Sequence, residues 1–383
     1  MSTTDPGYRQ CSISVMDNIA DPDISFDKKG ICNYYYEYLV AEKANTLRGD
    51  AAGQHLKEIV AMLKQEGKNK KYDCIIGVSG GIDSTFLSYK AREYGLRSLC
   101  VHFDNGWNSE LAVQNIENII TACGFDLYTY VINWEEFRDI QLAYFKAGVI
   151  DIEAITDIGI GAALNKICTD FNIGYILDGN NIWTEQTLPL AWINKNPNNL
   201  FQIHKKFGSV PLKNYPARFK NERYIKAKGS YKGISLLNFL DYNKQKTKSI
   251  IAKELNWKDY GGKHYESVFT RFYQGYILPH KFKVDKRKAH LSNLIFSGQI
   301  KKEDAINQLQ VPIYPRDQLS VDKDFVLKKL GFSESDFENC MNAAPVPHEL
   351  YGGMESDKEK LLAKVRRNLG AIKNKVFKHG TKE

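Results

Sequence analysis

The residues best equipped for chemistry form the run Val78-Ser79-Gly80-Gly81-Ile82-Asp83-Ser84-Thr85. Two adjacent glycines let the backbone approach an anion with no side chain in the way, and N–H groups at a helix start carry partial positive charge toward it. Ser79, Ser84 and Thr85 add hydroxyl donors. This is a phosphate-binding turn, yet it has neither the lysine before Ser/Thr of a Walker loop nor the G-x-G-x-x-G spacing of a dinucleotide fingerprint. A second group, Asp151-Ile-Glu153-Ala-Ile-Thr156-Asp157, sets three carboxylates within seven residues. Such a set takes a cation or a proton, or merely caps the helix that follows. A third, Tyr260-Gly261-Gly262-Lys263-His264 with Arg271, brings cationic and titratable groups to a flexible turn, where they suit the charge on an anionic leaving group. No Cys-His or Ser-His-Asp pairing has identifiable spacing, so no covalent nucleophile is expected.

For these groups to meet, their elements must end at one edge. The mostly apolar run 72–78 reads as a buried strand, and the pattern continues with helix 83–94, strand 97–103, helix 109–123, strand 126–132 and helix 135–146. A helix near 159–171 then leads into strand 173–178, and Leu56, Ile59, Val60 and Leu63 place another helix before the first strand. The alternation predicts an α/β, doubly wound parallel sheet, whose ligands gather beyond the carboxyl ends of its strands. Asp104-Asn105-Gly106-Trp107, Gly179-Asn180-Asn181 and Thr184-Glu185 stand at such ends, although turn chemistry alone also accounts for Asp104-Asn105-Gly106. Residues 1 to about 38 look irregular, and residues 186–235 break the rhythm with four prolines among aromatics and lysines. That insertion reads as a substrate or partner loop, or as a surface that stacks RNA bases. Beyond residue 300 the pattern is helical. The expected division is an irregular N-terminal segment 1–50, a nucleotide domain 51–300 carrying the insertion, and a helical region 301–383.

The chain of 383 residues is 43% hydrophobic and 26% charged, a globular balance with room for a substantial core. No apolar run approaches a membrane span and no signal-peptide core opens the chain, so a soluble, cytoplasmic protein is expected. Seven cysteines scattered through apparent core elements argue for reduced thiols rather than a disulfide framework. The net charge of +8 suits an anionic ligand such as a nucleotide or nucleotide-sugar. Part of it lies in the C-terminal run Lys364–Lys382, which reads as a solvated helix face.

Ser79-Gly80-Gly81-Ile82-Asp83-Ser84 resembles the pyrophosphate (PP) loop of the N-type ATP pyrophosphatases, whose fold is of the adenine-nucleotide alpha hydrolase kind. Within them the chain is similar to the N-acetyl sugar amidotransferases of surface-polysaccharide and lipopolysaccharide (LPS) biosynthesis. The similarity runs through Cys11, Val15-Met16-Asp17, Asp21-Pro22-Asp23-Ile24, Phe26-Asp27 and Gly30-Ile31-Cys32-Asn33. It continues in the acidic segment, in Gly261-Gly262-Lys263-His264 with Glu266-Ser267, in Asp285-Lys286-Arg287-Lys288-Ala289-His290, and in Ser297-Gly298-Gln299. The chain departs where the pattern supplies two further cysteines, placing Ser14 and Tyr35 there. Cys11 and Cys32 are then the remaining candidate zinc ligands, and a metal-free hairpin held by Phe26 and Tyr34–Tyr36 is the expectation.

The resemblance implies ATP and Mg²⁺ as cofactors. It implies ATP binding at Val78, Ser79, Gly80, Gly81, Asp83, Ser84 and Thr85, with His102, Phe103, Asp104 and Gly179 bordering the nucleotide. Catalytic roles fall to Asp83, Glu153, Asp157, Lys263 and Arg271, and substrate contacts to Asn105, Trp107, Asn180, Asn181, His264, Lys286 and Arg287. The implied reaction adenylates the acetamido oxygen of a nucleotide-linked N-acetyl sugar, and ammonia then displaces AMP to leave an acetamidino group. The chain shows no glutaminase nucleophile of its own, so glutaminase and cyclase-like subunits of the histidine-biosynthesis type are the implied ammonia source. No membrane or nucleic-acid partner is expected. The alternatives are a tRNA-modifying enzyme of the same superfamily, motivated by basic charge and the aromatic insertion, and a non-catalytic nucleotide-binding subunit.

Overall fold

A five-stranded parallel sheet lies at the centre of the computed structural model, which describes residues 6–216, 231–262 and 265–352. Its order is β3-β2-β1-β4-β5, with β1 Cys74–Gly77, β2 Ser98–Asp104, β3 Asp126–Val131, β4 Tyr175–Leu177 and β5 Lys232–Ile234. Ile75 pairs with Leu99 on one side and Ile176 on the other, and all three side chains are buried, which explains the unbroken apolar runs. The strand order reverses between β1 and β4. In a doubly wound sheet the crevice opens at that reversal, and the Ser79–Ser84 turn leaves β1 at this point.

Helices α1 (Asn33–Asn45) and α2 (Gly49–Glu66) precede the sheet. Helices α3 (Ile82–Glu93), α4 (Glu110–Cys123), α5 (Trp134–Ala147) and α6 (Ala154–Asp170) follow its first three strands. Helix α4 is capped by Ser109, whose Oγ accepts from Ala112 N, and α5 by Asn133 through Glu136 N. Both end on a left-handed glycine, Gly124 and Gly148.

Three stretches depart from expectation. Helix α1 begins at Asn33 because Tyr34 and Tyr38, one turn apart, are both buried. The insertion carries structure that its prolines disguise: Pro197 occupies the first turn of α8 (Pro197–Phe207), where its missing N–H costs nothing, and Leu200 and Ile203 face the core. Strand β5 also lies inside the insertion. Helix α6 starts five residues earlier than expected, since Ile155, Ile158 and Ala162 continue its buried face.

Beyond a short α7 (Ile182–Glu185) and α9 (Lys244–Leu255), the chain forms α10 (Val268–Phe272), which runs into a π-helical stretch Tyr273–Phe282. Helices α11 (Arg287–Phe296), α12 (Lys302–Gln310), α13 (Arg316–Leu330) and α14 (Glu334–Asn342) complete the described chain. One hydrophobic cluster joins Cys11, Met16 and Tyr34 to α5, α6, α10, α13 and α14, while two others cover the sheet. No described helix is long and apolar enough to cross a membrane. Lys263, His264 and the basic C-terminal run lie outside the described residues.

Candidate functional site

Helix α3 begins at Gly81 with no side-chain cap, so its first N–H groups point toward whatever fills the crevice. The turn that leads to it is tied from behind. Trp257 Nε1 donates to Gly80 O at 2.8 Å, Asn115 Nδ2 to the same oxygen at 3.4 Å, and Thr85 Oγ1 to Gly81 O at 2.6 Å. Gly80 has φ +77°, and a Cβ there would lie 2.6 Å from Ala112 O, so a side chain is excluded twice over. Gly179, after β4, would place a Cβ 3.3 Å from Ser84 N, which makes it the close neighbour of the helix start. Asp83 Oδ1 accepts from Tyr242 OH and, at 3.4 Å, from Asn181 Nδ2.

A pocket of about 220 Å³ opens on this turn, lined by Ser79, Gly81, Asp83, Ser84, Gly179, Asn180, Glu185, Lys244, Tyr260, Glu266 and His290. A second cavity of about 500 Å³ shares Ser79, Asn180, Glu185, Glu266 and His290 with it, so the two adjoin along these residues. One wall of the larger cavity is an apolar slot of Gly77, Val78, Val101, Phe103, Ile160, Ala163 and Leu164. His102 borders it, Nδ1–H donating to Val78 O at 3.1 Å and Nε2 accepting from Asn108 Nδ2 at 3.0 Å. A flat aromatic base fits such a slot.

The opposite wall is polar. Asp151, Glu153 and Asp157 line it with Lys195, Thr270, Gln274 and Lys286. Glu153 accepts from Thr270 Oγ1 and, at 3.4 Å, from Gln274 Nε2, and burial raises its carboxyl. Asp151 is pushed up to about 7 by burial, against the lowering effect of Asn194 N–H, which donates to its Oδ2 at 2.8 Å. Asp157 pairs with Lys195 Nζ at 2.9 Å. Glu153 holds the cap position of α6 without a side-chain cap bond, and Asp157 stands in the first turn, where its charge also suits the helix N-terminus. The π-helical stretch matters here, since α10 and its continuation bring Thr270 and Gln274 to Glu153 while Tyr273 OH donates to Ile150 O at 2.6 Å.

Several sequence candidates lie elsewhere. Trp107 is core, 1% exposed, its Nε1 donating to Gln141 Oε1 at 3.0 Å, so it touches no substrate. Asp104 turns back on its own loop, accepting from Gly106 N at 2.8 Å and Asn108 Nδ2 at 3.1 Å. Arg271 forms a two-pronged pair with buried Asp322, at 2.6 and 3.0 Å, and its charge is spent there. Arg287 is held by Asp285 and by the carbonyls of Gln308, Leu309 and Val311, which makes it a structural anchor. Asn181 caps α7 through Thr184 N, and Gly80 and Thr85 shape the turn without lining the pocket. Asn105 does reach the cleft, its Nδ2 donating to Thr156 Oγ1 at 3.2 Å. Cys32 N donates to Cys11 Sγ at 3.3 Å, Ser14 Oγ contacts Cys32 Sγ at 3.9 Å, and Tyr35 packs on Phe296. No group of three or more His, Cys, Asp or Glu suited to a metal occurs among the described residues. Lys195, Glu266, His290, Thr270 and Gln274 join the cleft beyond the site residues that the sequence marks. Glu266 and His290 fall inside motifs quoted above, whereas Lys195 sits in the insertion with no local signal.

Residues 266–366 match the family model "LPS biosynthesis protein WbpG-like, C-terminal domain". A tRNA(Ile)-lysidine synthase of Chlamydia pneumoniae is 35% identical over 75 residues, 19% of this chain, which spans only 23% of that protein's length. Among solved structures, NMN synthetase from Francisella tularensis aligns with a TM-score of 0.29 at 17% identity, over 53% of this chain and 86% of that one. The phosphate turn thus stands at the switch point of a parallel sheet, and the stretch from residue 266 onward is similar to the WbpG-like C-terminal domain of LPS biosynthesis.

Proposed function

We propose that this protein is an ATP-dependent, AMP- and pyrophosphate-forming amidotransferase that converts an N-acetyl group of a nucleotide-activated sugar into an acetamidino group. The observation that carries the reading is the pair of adjoining cavities, which are lined by the phosphate turn, an apolar group around Phe103, and a set of carboxylates and lysines. ATP would lie along them, pyrophosphate on the Ser79–Ser84 turn and base in the Phe103 slot, and its α-phosphate would fall beside Glu266 and His290. An amide carbon resists ammonia because its oxygen leaves poorly. Transfer of AMP to that oxygen removes the obstacle, so the protein's tasks are alignment and charge stabilisation.

Asp83 and Glu185 line the phosphate pocket with the hard oxygen donors that Mg²⁺ takes alongside substrate phosphates, and they are the residues that would hold it. When bound, the ion supplies charge neutralisation for the leaving pyrophosphate. Lys244 lines the same pocket, and Lys286 faces the acidic wall. Ammonia comes, in this reading, from glutaminase and cyclase-like subunits. The test is mass spectrometry of UDP- and CMP-linked N-acetyl sugars after incubation with ATP, Mg²⁺ and ammonium. Replacement of the amide oxygen by NH lowers product mass by about one dalton, with AMP formed in step, and Asp83→Ala abolishes it. Formation of ADP instead of AMP would sink the proposal.

A second reading, a tRNA-modifying enzyme, draws on the 75-residue similarity to the lysidine synthase. It requires tight tRNA binding whose affinity falls steeply with salt, and weak, salt-insensitive retention of tRNA excludes it.

A further inference from the structure

The polar wall of the cleft holds three carboxylates, and Asp151 alone is both buried and bonded through only one oxygen: the Asp157 side chain is 46% exposed, and both oxygens of Glu153 are engaged. Asp157 is paired with Lys195, and Glu153 is engaged by Thr270 and Gln274. Asp151 is 4% exposed and lines the cavity; Asn194 N–H reaches its Oδ2, while no donor among the described residues reaches Oδ1. That leaves Oδ1, on a side chain that lines the cavity, able to accept from a ligand N–H. Its backbone is fixed from the other side, where Asp151 N donates to His348 Nε2 at 3.3 Å and His348 Nδ1 is held by Asn199 Oδ1 at 2.8 Å.

Resting on the amidotransferase reading, we propose that Asp151 is the general base of the second half-reaction, receiving a proton from ammonia through Oδ1 as it attacks the adenylated imidate. In that step the nitrogen lone pair forms the new C–N bond and the C=N pair moves onto the sugar nitrogen. One N–H proton passes to Asp151 and from it to the sugar nitrogen. The C–O bond then breaks, AMP leaves with the bonding pair, and the amidinium forms. The surroundings suit a base that works near neutrality. Burial is the first cause of its raised pKa, about 7, and Asp157 and Glu153 on the α6 side push in the same direction. Lys286 lowers it; Lys195 of the insertion, Tyr144 of α5 and Tyr273 of the π-helical stretch stand close enough to feel the charge. A general base is most effective when its pKa lies near the working pH.

The deciding experiment separates the two half-reactions in the full chain. With an acetamido nucleotide-sugar, ATP–pyrophosphate exchange reports adenylation, and acetamidino product reports amination by ammonium. Asp151→Asn is expected to keep exchange within about threefold and to lose amination by about 10²-fold or more. Hydroxylamine, a weaker base that arrives unprotonated at neutral pH, restores turnover. In the unaltered protein, with free ammonia held constant across the pH series, amination, but not exchange, rises with a single group titrating near 7. Equal loss of exchange and amination in a folded variant, undiminished amination, or identical pH profiles for both steps in the unaltered protein overturns the assignment. Should the variant not fold, the pH profiles decide alone. An unaltered protein that exchanges no pyrophosphate with any acetamido nucleotide-sugar removes the underlying reading instead.

Discussion

Asp151 illustrates how a single residue's environment sets two measurable properties at once. Its folded pKa is raised above the ordinary aspartate value, so its contribution to stability is full below about pH 4 and is lost as pH rises through about 7. An asparagine at 151 has no such dependence. The stability of Asp151→Asn relative to the unaltered chain should therefore climb by roughly 3–4 kcal/mol between pH 4 and pH 7, at about 1.4 kcal/mol per unit. Urea melts at several pH values check this, and a constant difference refutes it. Asp83 is a simpler case: it lines the phosphate pocket and bonds Tyr242, so Asp83→Ala should lose the pyrophosphate-releasing step by about 10²-fold or more. Both residues stand in stretches whose chemistry is visible from the sequence. What the sequence withholds is which carboxylate of Asp151, Glu153 and Asp157 is buried and yet keeps an open oxygen, because Thr270, Gln274, Asn194 and Lys195 arrive from 38 to 121 positions away.

At the scale of elements, helix α5 explains how an insertion full of prolines becomes a fixed wall of the cleft. Asp139 accepts from the backbone of Ser209 and Val210, from Ser209 Oγ and from His204 Nε2. Glu136 accepts from Asn214 N, Asn214 Nδ2 and Tyr215 N, at 2.8 to 3.0 Å. Burial alone would raise both carboxyls, yet the N–H groups around them hold both below their ordinary values. Such groups stabilise above the ordinary carboxylate range and lose that effect as pH falls through it. Glu136→Gln should cost about 1–3 kcal/mol at pH 7, and the cost should vanish progressively below about pH 4. A cost independent of pH would show that the charge is not what docks the insertion. Strands β1 to β4, built from runs with period and length plain in the sequence, were legible; β5 was not. The insertion was not, because its order comes from acceptors on α5, about 70 positions earlier.

Across the whole molecule the cleft lies between two bodies of packing: the sheet with its phosphate turn, and a second core that gathers the N-terminal hairpins, closed by the antiparallel bridges Gln10–Asp17 and Phe26–Cys32, with the C-terminal helices. The hairpins brace α11, through Val15 N on Ser292 Oγ at 3.2 Å and the pair of Lys288 with Asp17, and α11 presents His290 to the cleft. Arg271 of α10 clamps α13 by its paired bonds to Asp322, which also accepts from Tyr314 OH and Gln318 Nε2. The sequence offered Arg271 as a catalytic cation because it follows the Gly-Gly turn; its partner lies 51 positions later and no local pattern joins them. The structural role makes a different prediction from the catalytic one. The arginine is 16% and the aspartate 4% exposed at the side chain, so removing either alone strands a buried charge at a cost of about 3–5 kcal/mol. Arg271→Met should therefore destabilise strongly, while Arg271→Met with Asp322→Leu should recover most of the loss, as apolar replacements of buried pairs do. If the pair acts through the fold alone, the double variant regains pyrophosphate release along with stability. A double variant that is stable yet inert in adenylation would return Arg271 to the chemistry.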